Sequence, residues 1–375
     1  MTVYPPPNCS QVQVTPAGAQ PAWLSLHGHV TGLKYSYLYP GGDDKAACVF
    51  EAPAALRSRI LELGATVRIF RGGHKQWEGR LDEPVPLSPY GWQLTAVGVG
   101  NQPADYAATW SAWPSGQPDE VVNNAISRGL PVVNPGIGQP AGIWLGQQPD
   151  SASRTVKDIL DLCCTRGGLG WYINGAPGGL IGNDITVAAL PSAVTRLLVC
   201  NAPVPRTSGG DVKLIWIKYC SAADNVASST SATYAVTSVT NTGHGGAEVY
   251  LDLSNAGVLS AGAAQAVGNN ILKVYQRAGF AGPFDVPMGS LLTTGGVPVD
   301  PGCEQAGGLW RLILTDYAYG AEPSPITPPQ FIVGGYEWDD QGQTGTATPY
   351  QMLDQSLSGL LSGPGTTGLN PLTVA

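Results

Sequence analysis

The sequence predicts a mainly β protein in which an α+β insert separates two β-modules. The 375 residues include 50 glycines and 32 prolines, which favour frequent turns, and 43% hydrophobic residues, too many for a disordered chain. Short runs with apolar residues at every second position occur towards both ends of the chain, and the middle has clear helical spacing. A chain of this length is expected to contain two or three domains.

Residues 1–100 are predicted to form the first β-module. Its strands alternate in polarity or are rich in β-branched residues, and turns with glycine or proline separate them. The strands are expected at 21–39, 65–70, 77–81 and 92–99. Residues 53–63 have helical spacing that ends at Gly64, so the module is predicted to be a small barrel or sandwich with one helix.

Residues 101–210 are predicted to form the α+β insert. One helix is expected to begin at Pro118, a residue favoured in the first turn, and a second is expected at 156–163 with Ser151 and Ser153 as candidate caps. A hairpin follows, with strands at 171–174 and 180–188. The spacing therefore predicts helices packed against a small sheet.

Residues 211–350 are predicted to form the second β-module, and residues 351–375 a Gly/Pro-rich C-terminal arm. Residues 211–219 are apolar at successive positions, which predicts a central strand. A helix is expected at 260–278. Later strands are expected at 309–314, 330–337 and 345–350.

Two segments repeat the same order of features. Residues 77–84, WEGRLDEP, combine a strand, a glycine and acids, and they lead into the strand LTAVG. Residues 331–340, FIVGGYEWDD, have the same order and lead through a turn into TGTAT. This internal repeat is short and degenerate, and it supports two related β-modules on either side of the insert.

The charge balance restricts the class of partner. Only 12% of residues are charged, about half the usual fraction, and the formal net charge is −8. An acidic chain does not grip nucleic acid through its phosphates, while a low charge density favours surfaces covered by other protein. The sequence starts without the basic and apolar segments of a signal peptide, and no apolar run is long enough for a membrane helix.

The cysteine and histidine patterns are incomplete as sites. The seven cysteines include no CxxC pair, so reduced thiols are expected rather than a disulfide framework or a zinc ribbon. Cys163 and Cys164 adjoin each other in the second predicted helix with no base near them in sequence. His27 and His29 share one face of a strand, but metal sites need three or four ligands.

Acidic pairs and glycine-rich segments also lack the context that chemistry requires. The pairs at 43–44, 82–83 and 339–340 are neighbours in sequence and are predicted to lie in solvated turns, not across a cleft. The glycines at 167–170 and 175–179 have no phosphate-loop context. The sequence therefore predicts no catalytic, cofactor-binding or metal-binding residue, no cofactor and no enzyme activity.

The tryptophans have two interpretations. They either fill cores and subunit interfaces, which is the favoured interpretation, or form a carbohydrate-binding surface. Trp110 and Trp113, in the segment ATWSAWPSG, lie in a predicted loop. They are the candidate exposed interface contacts.

Four segments carry a resemblance to a known family. These are ATVRIFRGGHKQWEGRLDEP, SASRTVKDILDLCCTRGGLGWYING and the pair GGDVKLIWIKYCSAADNVASSTSATY and FIVGGYEWDDQGQTGTATPYQ. They resemble the first hairpin, the middle helix and the second barrel of siphophage minor tail proteins of the baseplate hub, also called tail-associated proteins, in phages of actinobacteria.

This resemblance implies two tail-tube-like β-barrels with smaller accessory domains, and a homotrimer that forms a pseudo-six-fold ring at the distal end of the tail. It further implies contacts with the distal tail protein, the tail fibre or tip proteins and the tape measure protein. DNA would pass non-specifically during ejection, and the chain would be a virion protein assembled in the bacterial cytoplasm without a membrane anchor. Larger relatives carry a C-terminal peptidase or fibre domain, which is not expected here.

Three alternatives remain open. A distal tail protein forms a six-fold ring in the same machine but normally has one barrel. A carbohydrate-binding receptor-recognition protein would present exposed aromatic clusters. A cell-wall hydrolase would depend on one of the acidic pairs.

Overall fold

The structure of the chain is a computed structural model that describes residues 9–15, 24–26, 28–51, 63–108, 118–133, 154–167, 169–175, 183–200, 206–207, 212–222, 233–240, 247–258, 260–275, 279–280, 282–314 and 330–350. Of the helix predicted at 53–63 only Leu63 is among them, and the predicted arm at 351–375 lies outside them. In this part the chain is mainly β, as the sequence predicts. None of its helices is long and apolar enough to span a membrane.

The first strands form a curled antiparallel sheet that we term the N-terminal strand set (residues 11–98). They are β1 (Gln11–Thr15), β2 (Leu24–Ser25), β3 (Val30–Leu38), β4 (Gly41–Glu51), β5 (Thr66–Arg71), β6 (His74–Leu81), β7 (Val85–Pro86) and β8 (Gly91–Gly98).

Hydrogen bonds place these strands in the order β2-β1-β5-β6-β8-β4-β3, with β7 also on β8. Alternation buries every second side chain of β5, including Ile69 at 0% exposure, whereas β6 buries residues 76–79 in succession, including Trp77 at 0%. The strands predicted at 65–70, 77–81 and 92–99 are confirmed as β5, β6 and β8.

The next stretch forms the helical unit (residues 99–189). It contains a 3-10 helix (Val99–Asp105), β9 (Ala107–Ala108), α1 (Pro118–Ser127), β10 (Val132–Val133), β11 (Arg154–Thr155), α2 (Val156–Gly167), β12 (Leu169–Gly175) and β13 (Asn183–Ala189).

Both helices predicted in this stretch are present, and they bury Val122, Ala125 and Leu160 against Trp171 of β12. The N-cap of α2 is Thr155, not Ser151 or Ser153 as the sequence predicts. Thr155 Oγ1 accepts the Asp158 N–H over 3.1 Å, and Asp158 accepts the Thr155 N–H over 2.8 Å. This reciprocal pair is a capping box, with aspartate in the place of the usual glutamate.

The remaining elements lie in the last half of the chain. They are β14 (Val194–Cys200), β15 (Arg206–Thr207), β16 (Val212–Ala222), β17 (Thr233–Thr240), β18 (Ala247–Val258), α3 (Ala261–Tyr275), β19 (Gly279–Phe280), β20 (Phe284–Pro287), β21 (Leu291–Thr293), a 3-10 helix (Pro301–Cys303), β22 (Leu309–Leu314), β23 (Gln330–Asp339) and β24 (Thr344–Pro349).

Strand β14 and strands β20 to β24 make up the C-terminal strand set. Five strands of this set follow the same spatial and chain order as five strands of the N-terminal set: β14-β22-β23-β24-β20 against β1-β5-β6-β8-β4. The repeated segments of the sequence fall on β6 and β8 in one set and on β23 and β24 in the other. The sets differ at one pairing, since β14 and β22 are parallel whereas β1 and β5 are antiparallel.

Between β15 and β19 the chain builds a separate small-sheet unit (residues 212–275). Its order is β17-β16-β18, so the central strand predicted at 211–219 is confirmed. Helix α3 covers one face and buries Ile217, Val267 and Ile271 with the sheet. The other face carries exposed Trp216, so the apolar residues on that side are not covered by the described chain.

The hydrogen bonds group the elements differently from the predicted division at residue 210. Strand β14 lies inside the predicted insert but pairs with β21 and β22, whereas residues 212–275 make their own sheet and core. One core cluster joins the two strand sets, and it includes Phe50, Trp77, Trp310 and Trp338. The two sets are therefore packed together as one body, with the helical and small-sheet units as additional cores.

Candidate functional site

The two strand sets meet where β3 pairs antiparallel with β23, over Gly335↔Leu38 to Asp339↔Lys34. On the buried side of this pairing, Tyr37 lies opposite Tyr336 and Tyr35 lies opposite Trp338, each at 0–1% exposure. Directly opposed aromatic residues are among the most stabilising cross-strand pairs. We term this region, with the charged cluster described next, the central joint.

A buried arginine, Arg71, is at the centre of the charged cluster of the central joint. Arg71, the last residue of β5, has a side chain with 0% exposure; its Nε donates to Asp300 over 2.7 Å and its Nη1 to Asp340 over 2.6 Å. Its Nη2 donates to Gln343 over 3.1 Å, and the guanidinium lies 4.8 Å from the centre of the Trp338 ring. Arg71 comes from the N-terminal set and all these partners from the C-terminal set.

The segment that carries Asp300 is shaped to fit against Arg71. Asp300 Oδ1 accepts the Gly302 N–H over 2.9 Å and so caps the short 3-10 helix that starts at Pro301. A Cβ atom on Gly302 would collide with the Arg71 side chain, so only glycine allows this close approach.

Three tyrosine hydroxyls complete the joint by donating to backbone carbonyls. Tyr35 donates to Gly302 over 2.7 Å, Tyr336 to Pro301 over 2.8 Å, and Tyr37 to Gln76 over 2.9 Å. Burial raises the pKa of each of these tyrosines, so all three stay protonated as donors. Tyr35 and Tyr336 tie the 3-10 segment to both strand sets, whereas the Tyr37 bond lies within the N-terminal set.

A second joint connects the N-terminal set to the helical unit. Strands β4 and β12 pair in parallel through Tyr172↔Gly41 and Ile173↔Gly42, and a Cβ on Gly42 would meet the Ile173 backbone. Beside this pairing lies a buried charge cluster. We term the pairing and the cluster the helical-unit joint; the cluster consists of Asp43, Arg68, Lys75, Glu78 and Asn183.

Asp43 corrects a prediction made from the sequence. The pair at 43–44 is predicted to lie in a solvated turn, but Asp43 lies in β4 with 2% exposure and accepts the Glu78 N–H over 2.8 Å. Burial raises the pKa of Asp43 well above its usual range. Burial also acts against the ionised form of Glu78, but hydrogen bonds from Arg68 and Lys75, both of 2.7 Å, lower its pKa. The cluster thus holds two adjacent carboxyls whose pKa values are shifted in opposite directions.

The other acidic pairs differ from each other. Asp82 and Glu83 are exposed at a strand end, as predicted. Asp339 and Asp340 are not a simple solvated turn, because Asp340 binds Arg71 and Asp339 forms a 3.0 Å ion pair with Lys34 across β3 and β23. The sequence carries no signal for Arg71, which has the pattern of an ordinary residue of the turn that follows β5.

The structure describes few of the other positions that the sequence analysis singled out. Trp110, Trp113 and His27 lie outside the described residues, as do the side chains of Cys163 and Cys164. His29 Nδ1 lies 3.0 Å from the Glu51 carbonyl oxygen. Among the described residues no group of three or more histidine, cysteine, aspartate or glutamate side chains is placed to hold a metal ion.

A cavity of 280 Å³ lies at the seam between β1 and β3, which are not hydrogen-bonded to each other in the described part of the chain. Val12, Leu26 and Leu33 line it together with Asp340. The Asp340 carboxylate is already bonded to Arg71 and to the Ser10 hydroxyl, the latter over 2.7 Å. The carboxylate that lines this cavity is therefore engaged in contacts within the chain.

No family model and no curated protein matches the sequence. Three solved structures share the fold. A tail protein from Neisseria meningitidis has a TM-score of 0.56 and 13% identity over 90% of this chain and 95% of that chain. The 43 kDa tail protein of prophage MuSo2 from Shewanella oneidensis gives 0.52 and 12% over 91% and 98%.

Prophage tail protein gp18 from Listeria monocytogenes gives a TM-score of 0.57 and 12% identity over 94% of this chain and 98% of that chain. At these identities the likeness is one of fold. It extends over nearly the whole length of each protein, so it covers the strand sets and both additional units.

Proposed function

We propose that the chain is a structural component of a phage tail, and specifically a subunit of the ring that forms the baseplate hub at its distal end. The fold that it shares with one tail protein and two prophage tail proteins supports the tail role. The observation that carries the finer proposal is the matched order of five strands in the two sets, joined edge to edge by β3 and β23.

The geometric argument is one of symmetry. Two similar strand sets in one chain, paired laterally, supply two of six similar positions in a ring, and three chains would complete it. Lateral strand pairing also covers sheet edges that would otherwise invite uncontrolled association. In this proposal the central joint is the within-chain version of the contact that chains make with each other.

The proposed partners follow from the place of a hub. They are two further copies of this chain, the distal tail protein on one side, the tip or fibre proteins on the other, and the tape measure protein. A chain with a net charge of −8 presents no polycation to DNA, so DNA could pass through the ring without being held. We assign no catalytic step to the chain.

The test is the number of chains in the assembled ring. Light scattering on the purified chain, followed by electron microscopy, is expected to give three times 38.9 kDa and a ring with six similar lobes. Six chains per ring would favour a distal tail ring instead. A chain that stays monomeric at the highest attainable concentration, alone and with purified distal tail protein, would contradict the ring.

A further inference from the structure

The outer face of the small-sheet unit presents aromatic side chains to solvent. Trp216 of β16 and Tyr250 of β18 are register partners on adjacent strands, exposed by 41% and 43%. Val236 of β17, opposite Lys218, is 58% exposed. The other face packs on α3, which in turn contacts α2, so this outer face points away from the rest of the described chain.

Trp216 differs from the other tryptophans that the structure describes. Four of them are fully buried, namely Trp77, Trp171, Trp310 and Trp338. The fifth, Trp92, is half-buried. The exposed indole is nevertheless held in place, because Trp216 Nε1 donates to a carboxylate oxygen of Glu248 over 2.9 Å. An aromatic ring that is both exposed and fixed loses little conformational entropy when a ligand covers it.

The size of the apolar patch argues against a protein partner. Trp216, Tyr250 and Val236 together expose on the order of 300 Å². A stable interface between two proteins buries about 1,200 Å² or more in total, about 600 Å² on each side. The patch is therefore too small to hold a second copy of the chain by itself, but it is large enough for a few sugar rings.

The polar groups around the patch indicate the chemistry of the ligand. Lys218 and Asp252 form an ion pair of 3.5 Å on one side, and Glu248 lies on the other. The face thus has one more acid than base and disfavours polyanions such as nucleic acid. Carboxylates and the hydroxyls of Ser238 and Thr240 complement a neutral ligand that is rich in hydroxyl groups.

We propose that the outer face of the small-sheet unit, centred on Trp216 and Tyr250, binds a neutral polysaccharide chain. Sugar rings stack their C–H faces on the two aromatic rings, and their hydroxyls donate to Glu248 and Asp252 and accept from Lys218. The site does not depend on the ring proposed above, because all its residues come from one chain.

The test is calorimetric titration of the full chain with four neutral hexasaccharides, cellohexaose, chitohexaose, maltohexaose and mannohexaose, each up to about 1 mM. At least one is expected to bind. Trp216→Ala and Tyr250→Ala should each weaken that binding by about tenfold or more, since each removes one stacking surface. Trp216→Phe keeps an aromatic ring and should lose less than Trp216→Ala.

The matched control is Tyr90→Ala, which removes a tyrosine that is 69% exposed in the N-terminal strand set and should leave binding unchanged. If Trp216→Ala fails to fold, Tyr250→Ala and Trp216→Phe carry the test. Absence of binding by all four sugars overturns the proposal, as does binding that survives Trp216→Ala or equal binding of a heparin hexasaccharide. A change in self-association of Trp216→Ala by light scattering would also overturn it, because protein would then cover the face.

Discussion

The central joint and the helical-unit joint both bury charged groups, but they stabilise them in different ways. At the central joint one guanidinium, that of Arg71, meets two carboxylates, a side-chain amide and an aromatic ring, all from the other strand set. At the helical-unit joint the Asp43 carboxyl accepts a backbone N–H, and burial raises its pKa. The Arg71 guanidinium stays charged, because its pKa is raised further above an already high value, whereas burial favours the protonated form of Asp43.

The difference shows what each joint can tolerate. A fully paired, multidentate arginine fixes the relative positions of two elements and is very costly to break from one side. A buried carboxyl with a raised pKa makes the stability of its joint depend on pH. We therefore expect loss of Arg71 to have the largest effect, and the variants of the helical-unit joint to be distinguished by their pH dependence.

The largest expected effect is that of Arg71→Met. This change keeps much of the side-chain volume but leaves Asp300 and Asp340 partly buried without their cation, which should lower the free energy of unfolding by about 3–5 kcal/mol. Urea unfolding followed by tryptophan fluorescence measures it. The matched control is Arg80→Met, because Arg80 pairs with Asp105 at the surface and its loss should cost about 1 kcal/mol or less. Equal losses for the two variants would contradict the assigned role of Arg71.

The second-largest loss of stability is expected for Gly302→Ala. The added methyl group collides with the Arg71 side chain, so the 3-10 segment or the guanidinium must shift, at about 1–3 kcal/mol. Thermal unfolding measures the loss. Gly295→Ala is the control, since its added Cβ would lie 3.8 Å from Thr293 Oγ1, an ordinary contact at an exposed position. A Gly302→Ala protein as stable as the control would mean that Arg71 is not tightly held.

How far the sequence predicts this arrangement depends on the range of the contacts. The strands β5, β6, β8, β22, β23 and β24 and all three described helices are predictable, because alternation and helical spacing are local signals. The predicted helix caps are the wrong residues, since Thr155 and Asp158 form a capping box in which aspartate replaces the usual glutamate.

The central joint is not predictable from the residues alone. Arg71 binds groups 229 and 269 positions away, and no local pattern distinguishes an arginine at a strand end from one in solvent. The burial of Asp43 escapes prediction for the same reason, because adjacent acids are typical of turns. The exposed face of the small-sheet unit is not predictable either. The apolar sequence of β16 indicates a central strand, but it does not indicate that one face of the sheet remains uncovered.

Asp43→Asn tests the helical-unit joint through pH. Burial raises the folded-state pKa of Asp43, so its contribution is present in full below its ordinary value of 3.8 and is lost as pH rises from there towards the folded pKa. A tenfold difference in the acid dissociation constant between the folded and unfolded states corresponds to about 1.4 kcal/mol of stability. Asparagine can still accept the Glu78 N–H, so the variant should lose this decline in stability. Urea midpoints measured between pH 4 and 8 provide the readout.

Glu78→Gln should change the pH dependence of stability in the sense opposite to that of Asp43→Asn. Hydrogen bonds from Arg68 and Lys75 outweigh burial and lower the Glu78 pKa, so its contribution is present above the ordinary value of 4.5 and is lost as pH falls through the folded pKa. Removing this carboxyl should make the protein relatively less sensitive to acid. Changes of the same sign in both variants would contradict the opposite pKa shifts of Asp43 and Glu78.

The smallest expected effect is that of Tyr37→Phe. The change removes one buried hydrogen bond to the Gln76 carbonyl, which still accepts from Gln305 over 3.3 Å, so the expected loss is about 1 kcal/mol. Tyr336→Phe should cost a similar amount, because the Pro301 carbonyl likewise keeps a second donor, the Glu304 N–H, which lies 3.1 Å away at the end of its 3-10 turn. Unfolding of the two single variants and the double variant measures both losses and their coupling.

The losses should not be simply additive, because the two rings are register partners across β3 and β23. Strict additivity would mean that the two hydroxyls stabilise the central joint independently of each other.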